Sequence, residues 1–65
     1  MIVYIIKNSV FVPPGGPLYF VRCAGESKIW TQDKLNAFKY QRKIDALNAI
    51  LLLSITVGEV ERIKL

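Results

Sequence analysis

Apolar residues fall into runs along this chain, and short polar or ring-rich breaks separate them. Residues 2–7, Ile-Val-Tyr-Ile-Ile-Lys, are β-branched or aromatic at nearly every position, which suits a pleated strand. No polar alternation marks which face of that strand is buried. Residues 9–17 contain the run Pro13-Pro14-Gly15-Gly16-Pro17, which can neither continue a strand nor start a helix. A loop closing an antiparallel hairpin is predicted there, longer than the tight two-residue type.

Residues 18–24 read as a second strand. Simple alternation places Leu18, Phe20 and Arg22 on one face and Tyr19, Val21 and Cys23 on the other. The charge on Arg22 assigns Tyr19, Val21 and Cys23 to the core. Gly25, Glu26 and Ser27 predict a turn. Residues 28–31 follow as a short third strand, with Ile29 opposite in phase to Lys28 and Trp30.

The Thr31 hydroxyl predicts a cap on a short helical turn, with Asp33 suited to its positive end. From Gln41 or Arg42 to about Leu53 the pattern is helical: Ile44, Leu47, Ile50 and Leu51 form a core-facing stripe. Ala46, Ala49 and Leu53 widen it, and Leu52 interrupts the polar sector held by Asp45 and Asn48. The helix is more apolar than one small sheet requires. Residues 56–65 regain strand character in mixed phase. Val57, Ile63 and Leu65 share parity with Glu59 and Glu61, whereas Val60 shares parity with Arg62 and Lys64. A bulge, or a strand starting only near Glu59, reconciles the two.

The predicted order is therefore β-β-β-α-β: one α+β domain over residues 1–65, a small antiparallel sheet with one helix packed on one face. The other sheet face is left open to solvent, to a partner or to a second copy.

Length and composition sharpen this picture. A chain of 65 residues has a thin core, yet 52% of its residues are apolar, too many for a disordered segment. A homodimer, through the open sheet face or the apolar helix, would use the excess. Nine Lys and Arg against five Asp and Glu give a net charge of +4, which permits an acidic or nucleic-acid partner. The charges are spread from Lys7 to Lys64, with one cluster at Lys34, Lys39, Arg42 and Lys43. Cys23 is the only cysteine, so no disulfide forms within the chain, which fits a reducing cytoplasm. The apolar start lacks the basic flank of a secretory leader. Residues 46–57 fall short of the roughly 20 apolar residues of a membrane span, so no membrane association is expected.

The chain has no histidine. The commonest general base and metal ligand is therefore missing, and a lone cysteine supports neither an ordinary zinc site nor a Cys-His nucleophile pair. The Pro/Gly loop lacks phosphate-loop spacing and leads into a strand, not a helix N-terminus. Glu59, Glu61 and Asp33 read as solvated or turn carboxylates. Neither an enzyme nor a cofactor is expected.

The candidate chemistry lies in surfaces. If Tyr19, Val21 and Ile29 face the helix, then Phe20, Arg22, Lys28 and Trp30 emerge on the open face, where Tyr4 could join them. Aromatic rings stack bases and nearby cations neutralise phosphates, as in sheet-based single-strand binders. The aromatic and glycine consensus of such binders is absent from residues 18–24. The same residues suit a protein interface, where Trp, Tyr and Arg are the usual hot spots, and protein contact is the favoured reading.

The spacing Trp30-Thr31-x-Asp33, followed by Ala37, Tyr40, Ala46 and Ala49, resembles that of small uncharacterised proteins encoded by bacteriophages and related mobile elements. Their pattern is an N-terminal hairpin, a W-T-x-D turn, an A-x-x-aromatic motif, an alanine-bearing helix and a final strand. The resemblance implies a phage accessory protein in the bacterial cytoplasm that binds and modulates, typically inhibits, a host or defence protein. A small basic nucleic-acid-binding module and a virion assembly factor are the alternatives.

Overall fold

The β-branched N-terminal run forms strand β1 (Ile2–Asn8), and the chain continues through β2 (Tyr19–Ala24), β3 (Ser27–Thr31), a single 3₁₀ turn (Lys34–Asn36), helix α1 (Lys43–Leu52) and β4 (Gly58–Lys64). In the computed structural model, which describes all 65 residues, the strands make one antiparallel sheet of order β3-β2-β1-β4. This is the α+β, β-β-β-α-β architecture that the sequence predicts. None of its helices is long and apolar enough to cross a membrane.

Strand β1 is central, and both of its faces are covered. That explains a run with no polar alternation. Ile6 packs with Phe20, Ala46 and Ile55 under the helix, while Ile5 packs with Tyr19 and Ala37 on the opposite face. The expected open face is thus not open. Residues 32–39 cross it, and Ala37 seals Ile5 and Tyr19 there at 3% exposure. A second layer of backbone does the work that a second helix would do in a larger domain.

Strand β4 pairs with β1 in unbroken register from Ile2↔Lys64 to Asn8↔Gly58. It starts beside Glu59, as one of the two sequence readings required. Its mixed phase reflects two covered faces: Val60 packs on the helix side and Ile63 against the other cluster. Gly58 opens the strand because nothing larger fits. A Cβ there would lie 2.9 Å from Ile55 Cγ2 and 3.0 Å from Ile6 Cγ2.

Strands β1 and β2 pair at Lys7↔Tyr19 and then splay apart. Residues 38–40 fill the gap. The Phe38 N–H donates to the Phe20 carbonyl at 3.1 Å, and Tyr40 exchanges two 2.8 Å backbone bonds with Tyr4. Buried backbone groups need partners, and this inserted segment supplies them. Through the same gap the chain passes from the Ala37 face to the helix face.

Two side chains hold the Pro/Gly hairpin loop. Asn8, 8% exposed, accepts from the Val10 and Phe11 N–H groups at 3.0 and 2.9 Å. At the far end the Gln32 amide donates to the Pro14 and Gly16 carbonyls at 3.0 and 3.2 Å. Each arrangement satisfies loop backbone without a ladder.

Candidate interaction surface

The second strand departs from simple alternation. Its register against β3 shifts between Phe20 and Arg22: Phe20 pairs with Trp30, whereas Arg22 pairs with Ile29. This bulge adds one residue to β2, so Phe20 and Arg22 no longer share a face. Phe20 is 2% exposed and packs edge-on to half-buried Trp30, with ring centroids 5.7 Å apart and planes at 75°. Both rings belong to the core under α1, not to an open aromatic surface. Tyr4 lies with them on the helix side. Arg22 is exposed on the other face, Lys28 pairs with Cys23 on the Trp30 side, and Cys23 is exposed instead of buried. The expected quartet of Phe20, Arg22, Lys28 and Trp30 is divided between two faces and between core and surface.

The four clustered cations are also separated. Lys34 makes a 2.8 Å ion pair with Glu61 on the Ala37 face and lies 5.7 Å from the Tyr19 ring centroid. Hydrogen bonding and charge from Glu61 raise the Lys34 pKa. The Lys39 ammonium donates to the Leu35 carbonyl and, at 3.2 Å, to the Ala37 carbonyl, which ties down the 3₁₀ segment. Arg42 binds both oxygens of Asp45, at 3.0 and 2.9 Å, and holds that carboxyl below its usual range. Only Lys43 of the four faces a cleft on the helix side.

The residues 30–40 are mostly a corner. The Thr31 hydroxyl accepts from the Asp33 N–H at 3.1 Å, and Asp33 caps the 3₁₀ turn by accepting from the Leu35 N–H at 3.0 Å. Ala37 is buried. Burial raises the Tyr40 pKa, with the nearby Cys23 thiol adding to the effect.

The helix presents the largest departure from expectation. Its buried face is Ala46, with Ala49 and Ile50 packed beside it. The predicted stripe residues Ile44, Leu47 and Leu51 point away, at 51%, 41% and 78% exposure, and Leu52 is 82% exposed. Volume explains the rotation. Phe20, Trp30, Tyr4 and Tyr40 already fill the space above the sheet, so small helix residues must face them. Ile44, Leu47 and Leu51, spaced i, i+3, i+7, form a continuous outward ridge. The signal was present in the over-apolar composition of this helix, but spacing alone did not say which stripe the sheet would take.

A second feature lies between the first turn of α1 and edge strand β4. An open cleft of about 290 Å³ is lined by Tyr4, Lys43, Val60 and Arg62. Sequence reasoning missed Val60 and Arg62, because only the β1–β4 register sets Arg62 opposite Tyr4.

Fold and surfaces together define a small four-stranded α+β domain with an outward apolar helix ridge and a basic cleft. Comparison with known protein families, curated proteins and solved structures finds no match to this chain.

Proposed function

We propose that this chain is a non-enzymatic accessory protein that binds another protein through the outward ridge of α1. The observation that carries this reading is the exposure of Ile44, Leu47, Leu51 and Leu52, large aliphatic residues of α1 that its own sheet does not cover. Anchors at i, i+3 and i+7 are the pattern with which a helix seats itself in an apolar groove. The net charge of +4 favours a groove with an acidic rim. The bacteriophage resemblance supplies the kind of partner, a host or defence protein that the bound helix blocks or redirects.

The test is a paired capture from bacterial lysate, with the native chain and a Leu47→Glu/Leu51→Glu variant as baits, alongside sedimentation of both. A protein recovered by the native chain and lost with the variant supports the reading. Equal recovery by both baits contradicts it. A native dimer that the variant converts to monomer would instead assign the ridge to a second copy.

A further inference from the structure

We propose that the cleft between α1 and β4 binds a nucleotide, either free or as one unit of a single-stranded nucleic acid. The proposal rests on residues separate from the helix ridge and stands independently of it. Lys43 is the first residue of α1, and Arg62 lies midway along β4, directly across from Tyr4. The cleft therefore sets two cations around the half-buried phenol ring of Tyr4 and the apolar side chain of Val60.

Neither cation is neutralised within the protein. Every ion pair lies elsewhere: Lys7 and Lys34 with Glu61, and Arg42 with Asp45. No carboxylate lines the cleft. Glu59 and Glu61 alternate with Val60 and Arg62 along β4 and so project to the opposite face, where Glu61 meets Lys7 and Lys34. The two carboxylates of β4 are thus turned away from this cleft, and Asp45, in the first turn of α1, is held by Arg42, so an anion entering the cleft meets no lining carboxylate. The positive end of the α1 dipole acts in the same direction.

The chemistry on offer is a flat apolar surface beside two phosphate-binding groups. An aromatic ring stacks a nucleobase without regard to sequence, and Arg and Lys take the phosphate. The volume of about 290 Å³ lies at the bottom of the usual range for small-ligand pockets, so one nucleotide fits better than two. Lys64 follows Arg62 on the same face of β4, which extends the positive track along an edge strand. A strand of nucleic acid could lie along it with one base in the cleft.

The experiment titrates the full chain with a fluorescent oligothymidylate and, separately, with AMP as competitor, at low and moderate salt. Arg62→Ala and Lys43→Ala should each weaken binding several-fold and lower the salt slope by about 0.7 per phosphate contact removed. Both residues are exposed, so neither change should unfold the protein. Arg22→Ala, on the opposite face of the sheet, should leave binding unchanged. Competition by AMP assigns the cleft to a free nucleotide, and oligonucleotide binding that AMP does not displace assigns it to a strand. Failure of both probes to bind at low salt overturns the proposal. So does an Arg22→Ala loss equal to that of Arg62→Ala, because binding would then follow net charge alone.

Discussion

Phe20 shows how one backbone irregularity reassigns a side chain. Strict alternation ties Phe20 to Arg22, and a charged neighbour argues for solvent. The bulge between them breaks that tie, so Phe20 turns into the core while Arg22 stays outside. Nothing in residues 18–24 announces the bulge: no glycine marks it, and the segment 38–40 that bonds to Phe20 and Tyr4 beside it is distant in sequence. Replacing Phe20 with Ala should therefore cost about 3–5 kcal/mol in urea unfolding. Arg22→Ala should stay within about 0.5 kcal/mol, as surface changes usually do. Equal, small effects at both positions would restore the alternating reading. By contrast, the capped turn and the packing role of Ala37 were legible, because both depend on local chemistry that the sequence carries, although the cap is Asp33 itself and Thr31 only accepts the Asp33 N–H.

Among the elements, existence and order were readable and orientation was not. The helix expected from Gln41 or Arg42 to about Leu53 spans Lys43–Leu52, and the last strand begins at Gly58, in line with one of the two readings of its phase. Helical spacing, however, fits two stripes of α1 equally well. The aromatic bulk of Tyr4, Phe20, Trp30 and Tyr40 selects the alanine stripe, and those rings come from four separate parts of the chain. Past the helix, the chain returns to the sheet within a few residues, and Ile55 plugs the corner at 1% exposure. Gly58 leaves room for that plug. A Gly58→Ala change would push a methyl into Ile55 and Ile6, and a loss of about 1–3 kcal/mol is expected from overpacking. Unchanged thermal unfolding of that variant would mean that the Ile55 corner is looser than its distances imply.

At the scale of the whole molecule, a thin sheet achieves two covered faces with a single helix. The crossing segment 32–39 closes one face and the small side of α1 closes the other, leaving nine residues buried. So small a core cannot absorb an apolar content of 52%, and the surplus is displayed on α1, on Val10, Phe11 and Val12 of the hairpin loop, and at Leu35 and Phe38. The surplus was visible in the composition. Its location was not, since it depends on which helix stripe the aromatic layer excludes. The functional reading follows from that location: a helix whose large aliphatic residues point outward is equipped to enter a groove on another protein.

The central claim is therefore the orientation of α1, and a pair of substitutions measures it. Leu51→Lys should leave the urea midpoint within about 0.5 kcal/mol of the native chain, because that side chain already faces water. Ala46→Leu should cost about 1–3 kcal/mol, because no space remains above Ile6 and Phe20. The reverse result, a chain unfolded by Leu51→Lys and indifferent to Ala46→Leu, would place the leucine stripe in the core and remove the proposed binding ridge.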